Sequence, residues 1–166
     1  MSPGSARPRA AIVVTGSELV RGERTDLNGP FLARSLLALG LEPTRIHVVG
    51  DDPAELEAAL AEAVADADLV ATSGGLGPTH DDRTVEVVAG VAGLPLRVDD
   101  ELVERIEGVS RMVAERMKRP YADFHDGVVK QATVPEPAHV IGLAGTAPGL
   151  VVEAGGTPGV VLPGPP

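Results

Sequence analysis

The sequence predicts a three-layer α/β/α sandwich with a mostly parallel β-sheet and an antiparallel hairpin at its edge, in one domain over residues 10–166. Two observations lead to that prediction. Short β-branched runs alternate with segments of helical periodicity, and glycines and acidic residues follow those runs directly. Such alternation favours a parallel sheet with right-handed crossovers, whose ligands bind beyond the carboxyl ends of the strands.

The first part of the chain alternates predicted strands and helices. Residues Ala10–Thr15, Arg45–Val49 and Leu69–Thr72 are short β-branched runs, which indicate buried parallel strands. Helices are predicted from capping residues and from apolar positions at three- and four-residue spacing. They run from Asn28 to Gly40, from Asp52 through Val64, from about Asp82 to Ala92 before Gly93, and from Asp99 to about Lys118.

The remainder of the chain is less regular. Residues 119–138 have no clear period and contain three prolines, so they predict a long loop with a short extended piece around Val128–Gln131. Residues 149–166 predict two short strands joined by Ala154–Thr157, an antiparallel hairpin at a sheet edge. Residues 1–9 are expected to form a flexible N-terminal tail.

The composition argues against several classes of function. The net charge is −10 and only two of the 14 basic residues are lysines, so the electrostatic footprint of a nucleic-acid-binding protein is missing. The absence of cysteine excludes disulfides, thiol nucleophiles and thiolate metal sites. No run approaches the ~18 apolar residues of a membrane span, and the N-terminus lacks a signal-peptide pattern. We therefore expect a cytoplasmic protein without nucleic-acid or membrane partners.

The stretch TSGGLGPTHDDRT, residues 72–84, follows the third predicted strand and is the main candidate for a binding site. Glycine allows positive φ and close approach of a ligand, and a glycine loop entering a helix presents free N–H groups to an anion. The spacing matches neither a Walker A loop nor a dinucleotide-binding fingerprint. Asp81 and Asp82 have two interpretations, because they either contribute to this site or only cap the following helix.

Acidic residues beside an anion loop indicate a cation. A phosphate is poorly placed next to carboxylates unless a hard ion such as Mg²⁺ lies between them. Glu18 follows the first strand and Asp51 the second, so both are predicted at the same edge of the sheet as Asp82. The alternatives are a solvated loop residue for Glu18 and a residue preceding a helix for Asp51.

Other polar residues give less specific indications. Lys130 is a candidate phosphate contact or else a solvated surface lysine, and Thr146 offers a hydroxyl at a possible pocket rim. His80 and His125 lack partners at metal-ligand spacing, which argues against a histidine zinc site. No G-x-S-x-G elbow occurs, so serine-nucleophile chemistry has no support.

Seven motifs occur in order across nearly the whole chain: TGSELVRG, DLNGPFLARSL, VVGDD, TSGGLGPTHDDRTVEVVA, KQA, GTAPG and LPGPP. Together they resemble the N-terminal molybdopterin-binding-like domain of the competence/damage-inducible protein CinA family. The resemblance implies a Mg²⁺-dependent enzyme that hydrolyses a nucleotide pyrophosphate such as ADP-ribose. The alternative is a non-catalytic module that binds a pterin or nucleotide phosphate.

The resemblance also implies roles for individual residues. It puts Gly74, Gly75 and Gly77 in the ligand loop and gives functional roles to the acids Asp82, Asp51 and Glu18. Taken together with the residue chemistry above, the residues expected to be catalytic are Asp82, Asp81 and Glu18, with Glu18 and Asp82 also holding the metal ion. The expected ligand or phosphate contacts are Gly74, Gly75, Gly77, Thr79, Asp51, Asn28, Lys130 and Thr146.

Two residues depart from the family pattern. Ser17 stands where relatives carry the middle acid of a Gly-Asp-Glu motif, and Gly142 stands where they carry Asn or Asp. Both departures favour the non-catalytic alternative. Relatives also continue past LPGPP, and full CinA proteins add a nicotinamide-nucleotide amidase domain, an activity that is not attributed to these residues.

The same resemblance implies a dimer or trimer, with the domain truncated at its C-terminal end. Such a truncation is expected to leave apolar surface open on the final hairpin, at Val151, Val152, Val160 and Val161.

Overall fold

The computed structural model describes residues 6–164, which form a six-stranded sheet, a separate two-stranded ribbon and flanking helices. The strands are β1 Arg9–Thr15, β2 Glu42–Val49, β3 Leu69–Ser73, β4 Leu96–Val98, β5 Thr133–Pro135, β6 His139–Ala144, β7 Ala147–Ala154 and β8 Thr157–Leu162. The helices are α1 Ser17–Val20, α2 Asn28–Ala38, α3 Pro53–Asp66, α4 Thr84–Ala92, α5 Asp100–Met117 and α6 His125–Gln131, with a 3₁₀ turn at Tyr121–Asp123.

The sheet has the order β2-β1-β3-β8-β7-β6 and separates two apolar layers. Because side chains alternate along a strand, Ile12 and Val14 of β1 pack with Leu36 of α2 on one face. Val13 packs on the opposite face with a cluster that includes Leu56 of α3. The predicted three-layer α/β/α class is therefore confirmed.

The final hairpin is confirmed, but it lies deeper in the sheet than predicted. β8 runs parallel to β3, and β7 pairs antiparallel to β8. The antiparallel edge strand is β6, which the sequence did not predict, as it did not predict the ribbon of β4 and β5. Four neighbouring strands are thus parallel, β7 runs in the opposite direction, and the edge strand β6, antiparallel to β7, runs in the direction of the first four again.

The valines of the hairpin are covered by the chain itself. Val152 and Val161 are only 4% and 1% exposed, and Val151 and Val160 are partly buried. The expectation of open apolar surface was therefore wrong for Val152 and Val161, which α3, α4 and the neighbouring strands cover, whereas Val151 and Val160 stay partly exposed on the other face. Self-association stays a prediction, without these valines as its basis.

Residues 119–138 are more ordered than the predicted loop. The piece expected to be extended, Val128–Gln131, is the end of helix α6. Val128 is 1% exposed and packs into the core. Gly127 lets this helix approach the glycine-rich loop, since a Cβ atom there would lie 2.7 Å from Pro78 Cβ.

Of the starts of α2 and α3, one matches the prediction and one differs in detail. Asp52 caps α3 as predicted, with Oδ1 accepting from the N–H groups of Ala54 and Glu55. At α2 the acceptor is Asp26, whose Oδ1 lies 2.9 Å from the backbone nitrogen of Asn28. The Asn28 side chain is therefore free for another contact.

The predicted N-terminal tail lies mostly outside the described residues. Residues 1–5 are not described, and the first strand begins at Arg9. Between residues 6 and 164, none of the helices has the length and apolar character needed to cross a bilayer.

Candidate functional site

A cleft of about 540 Å³ lies at the carboxyl ends of the parallel strands, where the strand-end rule placed it. It is formed by the segments after β1, β2 and β3, the turn between β6 and β7, and the segment after β8. Its lining includes Thr15, Gly16, Glu18, Arg24, Asp51, Gly74, Gly75, Leu76, Gly77, Asp82, Gly145 and Gly164. Glycines and carboxylates that are far apart in sequence thus meet in one cleft.

The loop after β3 requires its glycines. Gly74 and Gly75 have φ angles of 106° and 67°, a region that side-chain-bearing residues rarely adopt. A Cβ atom at Gly74 would lie 2.6 Å from the carbonyl oxygen of Thr15, and one at Gly75 would lie 2.2 Å from Thr84 Oγ1. The loop therefore packs directly on β1 and on the start of α4.

The backbone N–H groups of this loop are of two kinds: one donates within the protein, and the others have no protein acceptor. Gly74 N–H donates to the Leu162 carbonyl at 3.1 Å. Among the described residues, the N–H groups of Gly75, Leu76 and Gly77 have no hydrogen-bond acceptor. Buried or half-buried N–H groups rarely stay unpaired, so these three are available to an anion or to water.

Two residues of α6 hold the loop carbonyls. Gln131, which is 6% exposed, donates from Nε2 to the Leu76 carbonyl at 2.9 Å. The Lys130 ammonium donates to the carbonyls of Gly77 and Asp82. Burial lowers the pKa of Lys130, and the nearby Asp82 and Glu86 carboxylates oppose that effect. Lys130 therefore supports the loop from behind, and the interpretation as a solvated surface lysine was wrong.

This arrangement predicts that α6 sets the loop's affinity for phosphate. In Lys130→Met, two carbonyls lose their donor, and we expect the affinity for inorganic pyrophosphate to fall by about tenfold in titration calorimetry. Gln131→Met should weaken binding similarly, although it removes no charge. Lys118→Met, which removes the chain's other lysine from an exposed helix end, is the matched control.

A loss of affinity in Lys130→Met without a loss in Gln131→Met would mean that the lysine charge contacts the phosphate directly. Unchanged affinity in both variants would show that α6 does not control the loop.

Asp82 belongs to the loop and not to the helix cap. Its Oδ2 accepts from the backbone N–H of Thr79 at 3.1 Å and from Thr79 Oγ1 at 2.5 Å. Helix α4 begins two residues later than predicted, and its N-cap position is Arg83. The capping interpretation of Asp82 is thus wrong. A Cβ atom at Gly77 would lie 2.4 Å from Asp82 Oδ2, so this glycine makes room for the carboxylate.

Asp81 is placed away from the cleft. Its carboxylate is 71% exposed and lies 2.9 Å from His80 Nε2. It does not line the cleft and does not cap α4. The expectation that Asp81 takes part in the chemistry therefore has no geometric support, because its neighbour alone faces the glycine loop.

The loops after β1 and β2 are joined by Ser17 and Asp51. The Asp51 carboxylate accepts from the Ser17 N–H at 3.2 Å, and the Asp51 N–H donates to Ser17 Oγ at 3.1 Å. Ser17, which departs from the family pattern, therefore makes a structural contact that holds the cleft wall in place. Glu18 follows directly, and its carboxylate oxygens lie 3.0 Å from the position of a Cβ atom at Gly16.

The charges of the cleft favour a cation together with an anionic ligand. Glu18, Asp51 and Asp82 line the cleft, against one cation, Arg24. Among residues 6–164 no three acidic or histidine side chains form a group that could hold a metal ion alone. Mg²⁺ is commonly bound by one or two carboxylates plus substrate phosphates. Glu18 and Asp82 both line the cleft and are the residues that could hold such an ion.

The remaining candidates lie at the margins of the cleft. Asn28 donates from Nδ2 to Ser73 Oγ at 2.8 Å, in a smaller adjoining cavity. Thr146 is partly buried in the turn whose neighbours Gly145 and Ala147 line the cleft. A Cβ atom at Gly142 would meet nothing within 4 Å, so a longer side chain in that position would project into open space.

Three residues of the site were not predicted from the sequence. Gln131 was assigned to an extended piece, and its contact with the loop depends on α6 being helical. Arg24 lies in the segment after the first strand, which was a sufficient signal for including it. Thr15 is 8% exposed at the end of β1, and its Oγ1 has no hydrogen-bond partner among the described residues. Nothing in the sequence distinguished that hydroxyl from a strand-forming threonine.

Comparison with known proteins identifies the class to which this fold and cleft belong. A family model described as a probable molybdopterin binding domain matches residues 11–166, and the chain belongs to this family. Within it, the chain is similar to CinA-like proteins. That of Mycobacterium tuberculosis is 48% identical over 164 residues, and that of Mycolicibacterium gilvum is 50% identical over 167 residues. Each match covers 95% of this chain but only 38% of the relative.

Solved structures agree with this placement. A CinA protein of unknown function from Thermoplasma acidophilum superposes with a TM-score of 0.79 at 34% identity, covering 96% of this chain and 90% of that one. The molybdopterin biosynthesis Mog protein from Mycobacterium ulcerans superposes with a TM-score of 0.59 at 28% identity, covering 97% and 86%. The resemblance to the CinA family is therefore confirmed.

Proposed function

We propose that the cleft binds the phosphate end of a nucleotide or pterin and that, with Mg²⁺, it hydrolyses a nucleotide pyrophosphate such as ADP-ribose. The observation that supports this most directly is the glycine loop. Its N–H groups at Gly75, Leu76 and Gly77 have no acceptor among the described residues, while its carbonyls face Lys130 and Gln131. Such a loop is suited to phosphate oxygens.

The family supports the same ligand chemistry. The matching family is described as a probable molybdopterin binding domain, and the Mycobacterium ulcerans relative is a molybdopterin biosynthesis protein. A molybdopterin and a nucleotide share a phosphate group and a planar heterocycle. A cleft of about 540 Å³ lies within the size range of small-molecule sites.

Different residues of the cleft would have different roles in this function. The N–H groups of Gly75 and Gly77 donate to phosphate oxygens, and Arg24 adds a positive charge at the rim. Glu18 and Asp82 are the residues that would hold Mg²⁺, which would supply positive charge to stabilise the phosphates during hydrolysis. Thr79 keeps the Asp82 carboxylate oriented through its two hydrogen bonds.

In the proposed reaction a water oxygen bonds to one phosphorus atom of ADP-ribose while the bridging P–O bond breaks. The bridging oxygen leaves with the other phosphate, so the products are AMP and ribose 5-phosphate. The proton of the attacking water passes to solvent. Asp51 is held by Ser17, so its part in this scheme is to shape the cleft wall.

A second candidate function is binding of the same ligands without turnover. The observation that favours it is Ser17, which bonds to Asp51 where relatives carry an acid. Only two carboxylates, Glu18 and Asp82, would then be left to bind a metal ion, and such a set would bind Mg²⁺ weakly without the ligand.

The test is to incubate the purified chain with ADP-ribose and Mg²⁺, measure AMP by chromatography, and measure ADP-ribose affinity by calorimetry. Turnover that stops with a chelator supports the hydrolase. Binding without AMP release supports the non-catalytic module and overturns the hydrolase. Absence of both binding and turnover overturns the proposal as a whole, including the assignment of the glycine loop to phosphate.

A further inference from the structure

Helix α5 has a patterned surface besides the face that it buries. The buried residues lie one turn apart and are Leu102, Ile106, Ser110 and Ala114. A second set recurs at three- and four-residue spacing, which places its members on one face of the helix. We call this set the α5 stripe: Glu101, Arg105, Gly108, Val109, Met112 and Arg116. All of them are exposed except Val109, which is partly buried.

The charged residues of the α5 stripe have no partners within the chain. Glu101, Arg105 and Arg116 form no ion pair with any of residues 6–164. By contrast, Arg111 lies on the same helix outside the stripe and pairs with Glu107. The stripe therefore presents an acid near the start of α5 and a base near its end, both free for another molecule.

The middle of the α5 stripe is open and partly apolar. Met112 is 64% exposed, and methionine side chains adapt readily to a partner surface. Gly108 lies in the helix interior, where glycine is unfavourable. A Cβ atom there would meet nothing within 4 Å, so packing within the chain does not require this glycine. A glycine on a helix surface does allow a second helix to approach closely.

The α5 stripe is complementary to itself in the antiparallel direction. In a pair of identical helices related by a two-fold axis, residue i faces residue j of the partner and j faces i. With the axis between Gly108 and Val109, the facing pairs are Glu101 with Arg116, Arg105 with Met112, and Gly108 with Val109. Both end pairs then join opposite charges, and the methylene groups of each arginine side chain in the second pair cover a methionine.

We propose that two copies of this chain associate through the α5 stripe, with their α5 helices antiparallel across a two-fold axis beside Gly108. A second copy fits better than an unrelated partner, because the opposite charges stand at the positions that a two-fold axis brings together. The helix macrodipole also favours an acid in the first turn and a base in the last. It does not account for an open glycine and an exposed methionine between them.

The dimer is expected to be weak. An 18-residue helix is about 27 Å long, so the contact lies at the low end of specific interfaces. We expect a dissociation constant on the order of 10–100 μM. Sedimentation velocity of the whole chain, over a concentration series that spans this range, measures it. This association does not depend on the proposed phosphate site.

Charge reversal tests the facing pairs. Glu101→Arg and Arg116→Glu each place like charges opposite one another, so we expect either variant to raise the dissociation constant by about tenfold or more. The double variant Glu101→Arg/Arg116→Glu restores opposite charges and the original net charge. Its dissociation constant should return to within about threefold of the original value. Glu57→Arg, an exposed position on α3, is the matched control and should change nothing.

Gly108→Lys tests the same interface at its centre. The side chain enters open space in the single chain, so the circular dichroism spectrum should be retained and the melting temperature should not fall. Across the two-fold axis, however, two lysines would lie side by side and should weaken the dimer by about tenfold or more. The substitution makes the acidic chain less negative, so a weaker dimer would not reflect overall repulsion.

Three results would overturn the proposal. The first is a strict monomer at every concentration. The second is a dimer that neither charge reversal nor Gly108→Lys weakens, because that dimer would use another face, such as the edge strand β2 with its exposed Ile46 and Val48. The third is weakening in both single charge variants without recovery in the double variant, which would exclude the antiparallel two-fold arrangement.

Discussion

Replacing Asp82 with asparagine is expected to reduce Mg²⁺-dependent turnover of ADP-ribose by about a hundredfold or more. An amide has nearly the shape of the carboxylate, so its oxygen can still accept from Thr79 N–H and Oγ1. It binds a hard cation poorly, however. The fold and the loop should therefore survive, and the increase in ADP affinity on adding Mg²⁺ should disappear. Turnover rates and calorimetry with and without Mg²⁺ measure both effects.

Asp81→Asn is the matched control for this experiment. It removes the same charge from the next residue, but that carboxylate is exposed and paired with His80, outside the cleft. We expect unchanged turnover and unchanged ADP affinity. If Asp81→Asn and Asp82→Asn have equal effects, net charge alone matters and the assignment of Asp82 is wrong. Full Mg²⁺ dependence in Asp82→Asn would contradict the assignment directly.

Replacing Gly75 with valine is expected to abolish the ligand-induced rise in melting temperature. The valine would place its Cβ 2.2 Å from Thr84 Oγ1 at a φ of 67°, so the loop must move away from its present path. That movement displaces the N–H groups assigned to phosphate and puts a branched side chain beside them. Thermal shift with ADP and Mg²⁺ measures the response, and circular dichroism verifies the fold.

The strain of a valine at positive φ can be separated from its effect on the site. Gly155 has a φ of 57° in the hairpin turn, and a Cβ atom there would meet nothing within 4 Å. Gly155→Val should lower the free energy of unfolding by about 1–2 kcal/mol and keep the full response to ligand. If Gly75→Val stays folded and still responds to ADP, the glycine loop is only a turn.

The parallel core of the fold was predictable because its signals are local. β1 and β3 are β-branched runs buried on both faces, and Asp52 followed by Pro53 starts α3 as its sequence indicates. Those signals do not depend on the rest of the chain. Burial on both faces of a sheet selects for them directly.

The region around α6 was not predictable for the opposite reason. Val128 and Val129 are β-branched neighbours, which locally favour an extended chain. The helix is instead stabilised by tertiary contacts, with Val128 in the core and Gly127 packed on Pro78. Short segments with mixed propensity follow their packing partners, and those partners are distant in sequence.

The candidate site was predictable as a location and less so as a geometry. The strand-end rule placed Glu18, Asp51 and the glycine loop at one edge, and the structure brings them together in one cleft. The sequence alone could not show that Lys130 donates to loop carbonyls, since that contact requires helix α6 to pack against the loop. Nor could it distinguish the adjacent acids Asp81 and Asp82, whose side chains have different partners.

The most direct test of the phosphate site is a crystal structure of the chain with ADP and Mg²⁺. We expect phosphate oxygens within hydrogen-bond distance of the N–H groups of Gly75 and Gly77. We also expect Mg²⁺ between those phosphates and the carboxylates of Glu18 and Asp82. A diphosphate bound elsewhere, with the loop N–H groups facing only water, would contradict the central claim.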